Sequence, residues 1–171
     1  MEKYSALKDK VILAVDDEPD VLSVIEETLD MCIIKKAGDF DTATQYLLNY
    51  NYDIVILDIM GVDGFKLLKT SVSLGFPTVM FTAHALEPDA LKKSIKLGAV
   101  SFLPKEKISE FPEFLEDVVL RKGEPLWRKL FQRFESFFAK RFGPDWKEKD
   151  RFFKYFENEL KKSEAEKIKK A

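Results

Sequence analysis

Between residues 11 and 121, short apolar runs alternate with stretches whose apolar positions recur every three or four residues. Val11, Ile12, Leu13, Ala14 and Val15 form the first run, and it ends on Asp16 and Asp17. A run apolar at every position reads as a strand buried on both faces. Pro19 suits the first turn of a helix, and Val21, Leu22, Val24, Ile25, Thr28 and Leu29 supply its stripe. Residues 32–36 predict a second strand, near an edge because it ends on Lys35 and Lys36. Gly38 and Asp39 make a turn, and a helix is predicted over residues 41–49. A third strand, residues 53–57, ends at Asp58; Gly61, Asp63 and Gly64 form a loop before a short helix over 65–73. A fourth strand, 78–81, ends at Thr82. Pro88 opens a helix that Gly98 stops, a fifth strand spans 99–103 and ends near Lys105, and a helix covers 109–121. Five strand–helix alternations predict an α/β fold with a parallel sheet covered on both faces.

The polar residues sit where such a sheet binds ligands, beyond the carboxyl ends of its strands. Asp16 and Asp17 follow the first strand, Asp58 the third, Thr82 the fourth and Lys105 the fifth. Three clustered carboxylates repel one another unless a cation joins them. An oxygen-rich site with room for water suits Mg²⁺ and leaves one carboxylate free as a nucleophile. Phosphoryl transfer onto that carboxylate needs neutralisation of the equatorial oxygens, which Mg²⁺, the Lys105 ammonium and the Thr82 hydroxyl could provide. Asp58 is the best nucleophile because its strand lies centrally. Singly, each residue is commonplace: an Asp after a strand usually caps a helix, and a lysine is usually solvated. Their joint occurrence at successive strand ends carries the reading.

These segments resemble the receiver domain of two-component response regulators. The matching text is Val-Ile-Leu-Ala-Val-Asp16-Asp17-Glu18-Pro19, Asp53-Ile-Val-Ile-Leu-Asp58-Ile-Met, Val79-Met-Phe-Thr82-Ala83-His84-Ala85 and Gly98-Ala-Val-Ser-Phe102-Leu-Pro-Lys105. The resemblance covers about residues 8–121. It implies the flavodoxin-like doubly wound sheet with strand order 2-1-3-4-5. It also implies Asp58 as phosphoacceptor, Asp17 as direct Mg²⁺ ligand, Asp16 on metal-bound water and the Met60 backbone carbonyl completing the metal site. Thr82 and Phe102 resemble the switch pair, the ring moving inward as the hydroxyl turns to the phosphoryl group. Lys105 resembles the lysine that pairs with the phosphate. Met60 and His84 occupy positions that flank the approach of hydrolytic water. Two departures stand out. The loop Asp58-Ile-Met-Gly-Val-Asp63-Gly64 is compact, with Gly61 where a proline is common. Glu106 follows Lys105 where a proline is common, which excludes a cis Lys-Pro bond.

Charge and aromatic content divide the chain at the end of that region. Residues 1–120 carry 12 Lys+Arg and 21 Asp+Glu, whereas residues 121–171 carry 16 and 9. The same tail holds 11 of the 22 aromatics. The expected units are therefore an acidic receiver, 1–121, and a basic, aromatic-rich helical extension, 122–171. Leu126, Trp127, Leu130, Phe131, Phe134, Phe137, Phe138 and Phe142 fall at helical spacing, Gly143-Pro144 stops that helix, and Asp145 can open another. That predicts a helical hairpin whose last residues, 161–171, fray. So many rings need cover, so Trp127, Phe131, Phe134 and Phe153 are expected buried on the receiver or on a homodimer mate. A nucleic-acid-binding role is disfavoured because no third helix completes a recognition unit, and membrane-surface binding is a further alternative.

The single Cys32 excludes an internal disulfide and a cysteine zinc cluster, and the single His84 excludes multi-histidine sites. No apolar run approaches the length of a membrane span, and the amino end has no signal-peptide pattern; a cytoplasmic protein is expected. A dehalogenase-type phosphatase fits poorly because position 60 is Met rather than a second Asp, and no Gly-rich phosphate loop precedes a Lys-Ser/Thr pair. The expected function is a receiver that accepts a phosphoryl group from a sensor histidine kinase or phosphotransfer protein and acts on an unknown downstream protein. It is not a dedicated enzyme, although it catalyses its own phosphorylation and dephosphorylation. A receiver-like scaffold that is never phosphorylated is the alternative.

Overall fold

The computed structural model describes residues 3–83 and 87–170. After a 3-10 turn at Ser5–Leu7 come β1 (Val11–Val15), α1 (Pro19–Thr28), β2 (Ile33–Ala37), α2 (Phe40–Asn49), β3 (Ile54–Leu57) and α3 (Gly64–Ser73). They are followed by β4 (Thr78–Thr82), α4 (Pro88–Lys96), β5 (Ser101–Pro104), a 3-10 segment Lys105–Glu110 and α5 (Phe111–Leu120). The five strands are all parallel, in the order β2-β1-β3-β4-β5. The central strand β3 is buried at every position, which is why its sequence has no alternation.

Element boundaries shift by a residue or two from the sequence reading, and three of the shifts bear on the site and the extension. Thr82 lies inside β4 rather than after it. Ala99 and Val100 fall outside β5, and their carbonyls accept from Trp127 Nε1 at 3.1 Å and Leu126 N at 2.7 Å. The helix expected from residue 109 begins at Phe111, because the chain first makes the 3-10 segment, in which Lys107 is not helical (φ −104°, ψ 23°).

The extension turns off α5 at Lys122 and Gly123, both at positive φ. It then forms α6 (Trp127–Arg133), α7 (Glu135–Phe142), α8 (Trp146–Lys149) and α9 (Arg151–Lys170). The stop at Gly143 is present, with φ 101°, so the two arms of the predicted hairpin are there. Each arm is divided. Phe134 leaves helical geometry (φ −109°, ψ 24°) and stacks on Phe114 of α5 at a centroid distance of 5.3 Å. Asp150 divides the second arm: its Oδ1 accepts from Phe152 N and its Oδ2 from Lys92 Nζ of α4 at 2.6 Å. The end that was expected to fray is helical to Lys170.

Trp127, Phe131, Phe134 and Phe153 are all buried within one chain. Phe131 is the hub, with the rings of Trp127, Phe138, Trp146, Phe153 and Phe156 all within 6.5 Å of it. Basic residues of the arm pair with acidic residues of the body: Arg133 with Glu110 and Glu113, Lys129 with Asp117, and Arg141 with Glu106. The opposite charges that divide the sequence are thus joined in the fold. Truncating the hub should test whether arm and body unfold together. Phe131→Ala is expected to cost about 3–5 kcal/mol in denaturant unfolding, within one transition. A loss below about 1 kcal/mol, or a separate early transition, would show that the aromatic cluster lies outside the cooperative unit.

Candidate functional site

Because all five strands run the same way, their carboxyl ends meet at one edge of the sheet. Asp16 and Asp17 leave β1, Asp58 leaves β3, Thr82 closes β4 and Lys105 follows β5. The Lys105 ammonium ties the group together. Its Nζ lies 2.6 Å from Asp16 Oδ2 and 3.0 Å from Asp58 Oδ2. The second oxygen of each carboxylate is held by the backbone that follows it. Asp58 Oδ1 accepts from Ile59 N at 2.8 Å, and Asp16 Oδ1 accepts from Glu18 N at 2.9 Å. Neither carboxylate can swing without losing two contacts.

Burial raises the pKa of Asp16 above the ordinary carboxylate value; bonds from Lys105 and Glu18 N oppose the rise, and the Asp58 charge adds to it. Burial works in the opposite sense on Lys105, but its bonds to Asp16 and Asp58 prevail and hold its pKa above the usual lysine value. Lys105 therefore keeps its positive charge at neutral pH and shares it between two carboxyl groups.

A cavity of about 130 Å³ opens beside this pair, lined by Asp17, Glu18, Asp58, Met60, Gly61, Thr82, Ala83 and Lys105. Thr82 is almost wholly buried at its wall. The Met60 side chain lies at the mouth and is 59% exposed. Asp16, Asp17 and Glu18 each bring a carboxylate oxygen within 4.8 Å of the others. Glu18 was not singled out from the sequence, although the unbroken Asp16-Asp17-Glu18 run was its signal. Phe102 does not line the cavity; it is fully buried on β5 opposite Met80 of β4. His84 lies outside the described residues.

The compact loop after Asp58 explains its own glycines. Gly61 has φ 79° and packs so closely on the Asp17 carboxylate that a Cβ would overlap it. A proline, fixed near φ −65°, has no place there. At Gly64 a Cβ would overlap the backbone carbonyl of Asp58. The loop thus crosses the site as bare backbone at both contacts. The surrounding donors are hard oxygens only, in an open space that can keep water, and this set fits Mg²⁺.

Residues 12–116, more than half of the chain, match the family model of the response regulator receiver domain. The chain belongs to the response regulator receiver family. Among characterised relatives, the two-component response regulator ARR18 of Arabidopsis thaliana is 33% identical over 131 residues, 73% of this chain and 20% of that protein. The fimbriae Z protein of Salmonella typhimurium is 34% identical over 108 residues, 59% of this chain and 51% of that one. The chain therefore spans between a fifth and half of these relatives. Solved receivers share the fold. The receiver domain of the Francisella response regulator 1452 matches with a TM-score of 0.61 at 21% identity, covering 67% of this chain and 99% of that one. A CheY-like receiver from Methanospirillum hungatei JF-1 matches at 0.58 and 20% identity, covering 68% and 100%. The family model stops at residue 116, before the arm.

The loop geometry yields a direct expectation for this receiver. Gly61→Ala should push the Asp17 carboxylate out of position and weaken Mg²⁺ binding by about tenfold or more, as read by titration calorimetry. Unchanged affinity in a folded Gly61→Ala protein would show that Asp17 takes no part in holding the ion.

Proposed function

We propose that this receiver accepts one phosphoryl group on Asp58 from the phosphohistidine of a sensor kinase or phosphotransfer protein in the cytoplasm. The observation that carries the reading is the Lys105 ammonium 3.0 Å from Asp58 Oδ2, at a cavity also walled by Thr82. Asp58 attacks phosphorus, the P–N bond to the donor imidazole breaks, and an acyl phosphate forms. Bound Mg²⁺ would supply charge neutralisation for the phosphoryl oxygens. Asp17, Asp58 and the Met60 carbonyl are the residues to hold it, with Asp16 acting through its bound water. Lys105 exchanges its contact with Asp58 for one with the incoming phosphoryl oxygen, and Thr82 offers a hydroxyl to another. The backbone N–H of Ile59 keeps the Asp58 carboxylate in place during the attack. The chemistry is performed on the chain itself, so the protein is a signalling acceptor rather than a turnover enzyme. Its output is a changed interaction with another protein.

The reading of the arm as a nucleic-acid or membrane binder is less well supported. Lys129, Arg133 and Arg141 are engaged with Asp117, Glu110, Glu113 and Glu106 of the body.

Intact-mass analysis after incubation with acetyl phosphate and Mg²⁺ should show a gain of one hydroxylamine-sensitive phosphoryl group that is absent in Asp58→Asn. Persistent labelling of that variant would move the acceptor elsewhere. A second expectation concerns lifetime. Met60 offers attacking water no hydrogen bond, so the acyl phosphate should decay more slowly in the native protein than in Met60→Asn. Equal or slower decay in the variant would remove Met60 as the brake.

A further inference from the structure

The loop that crosses the acceptor site presents an apolar side chain to solvent beside the cavity. Ile59 and Val62 are buried, and between them the backbone of Gly61 packs on the Asp17 carboxylate. Anchored on both sides, the loop leaves the Met60 thioether at the mouth of the cavity that Asp58, Thr82 and Lys105 line, with 59% of the residue exposed. The other sulfurs among the described residues are sheltered. Met80 is fully buried on β4, and Met31 is half-buried against the core. Cys32 is half-buried as well, and its Sγ donates to Leu7 O at 3.3 Å. Burial, aided by the Asp30 and Asp53 charges, pushes the Cys32 thiol up to about 11. Little of the reactive thiolate then exists at neutral pH.

We propose that Met60 is an oxidation site at which hydrogen peroxide shortens the life of the phosphorylated state. The effect on lifetime rests on the acceptor reading above; the modification itself does not. The Met60 sulfur attacks the O–O bond of the peroxide. An S–O bond forms and the O–O bond breaks. The hydroxyl left behind takes the proton of the transferred oxygen and departs as water. An electron pair passes from sulfur to the peroxide, so no further reactant is needed. The product replaces a flexible apolar side chain with a polar sulfoxide, and a weak acceptor with a strong one. At the cavity mouth that oxygen accepts a hydrogen bond from a water attacking the phosphorus on Asp58. The P–O bond to the carboxylate then breaks, leaving free Asp58, inorganic phosphate and a proton. Because the change is confined to the exposed side chain, the buried Ile59 and Val62 and the Gly61 contact keep the loop in place. A methionine sulfoxide reductase restores the thioether, which makes the effect reversible.

The test uses the full chain treated with hydrogen peroxide. Peptide mass analysis should place added oxygen on Met60 before Met31 or Met80. Oxidation of Met31 or Met80 first overturns the site, whatever the state of Asp58. Oxidised and untreated protein are then phosphorylated with acetyl phosphate and Mg²⁺, the donor is removed, and loss of the phosphoryl group is followed by intact mass. The oxidised protein should lose it about threefold faster or more, and a methionine sulfoxide reductase with a dithiol reductant should restore the slow decay. Met60→Gln puts an amide oxygen at the same distance along the side chain and should decay fast without peroxide. Met60→Leu should decay at one rate with and without peroxide. Equal decay of oxidised and untreated native protein, or a peroxide response that persists in Met60→Leu, overturns the proposal and leaves the acceptor assignment standing. Absence of phosphoryl uptake in untreated protein overturns both the acceptor reading and the effect on lifetime.

Discussion

Parallel strands with carboxylates at their ends create an electrostatic problem that the fold has to solve before it can do anything else. Asp16 and Asp58 project from β1 and β3 into the same partly buried space, where water screens them poorly. One ammonium resolves the conflict. Lys105 arrives from the far side of the sheet, after β5, and closes on both carboxyl groups at once. The contact ties together strands that are not all neighbours, since β3 and β4 separate β1 from β5. It also makes Lys105 the point at which any new negative charge on Asp58 must be felt. Position and charge balance come from a single side chain.

The compact loop works under a related constraint. Asp58 is held through Ile59 N, and the chain then has only a few residues in which to turn into α3. It does so by passing bare backbone over the Asp17 carboxylate and back against the Asp58 carbonyl, at Gly61 and Gly64. Asp63, at φ 54°, takes the strained position just before the helix. The side chain that this loop does present, Met60, is left at the cavity mouth. The compact loop and the exposed apolar side chain beside the cavity are two aspects of one arrangement.

Most of the body was legible because periodicity and strand-end chemistry are local. Continuous apolar runs identify buried parallel strands, and a parallel sheet delivers the residue after each run to a common edge. That is why Asp16, Asp17, Asp58, Thr82 and Lys105 could be assembled from text alone. What escaped depends on tertiary contacts. The segment Lys-Glu-Lys-Ile-Ser-Glu has no feature that marks it as a 3-10 turn rather than the start of α5. The break at Phe134 interrupts a continuous helical spacing where that ring stacks on the distant Phe114, and at Asp150 a local bond from Phe152 N combines with one from the distant Lys92. The aromatic count of the extension announced that it must be covered, and the charge division named an acidic surface. Neither could say that the covering surface would be α4, the edge of β5 and α5.

The two edges of the sheet show why that surface needed an occupant. Edge strands present unpaired backbone and invite association. At one edge, β2 is only partly buried and protects itself with charge: Lys36 pairs with Glu26, and Lys35 lies 3.6 Å from the centroid of the Tyr50 ring. At the other edge, all four residues of β5 are buried and uncharged. Apart from Pro104, which has no N–H to pair, that strand carries no protection of its own, and it is α6 that lies along it, with Leu126 N and Trp127 Nε1 bonded to the carbonyls of Val100 and Ala99 just before the strand. The turn at Lys122 and Gly123 separates two compositions, yet the hydrophobic surface on either side of it is completed by the other. The apolar β5 edge and the aromatic arm therefore make physical sense only as one folded unit, and a change that lifts the arm must at the same time open the edge of the sheet that carries Lys105.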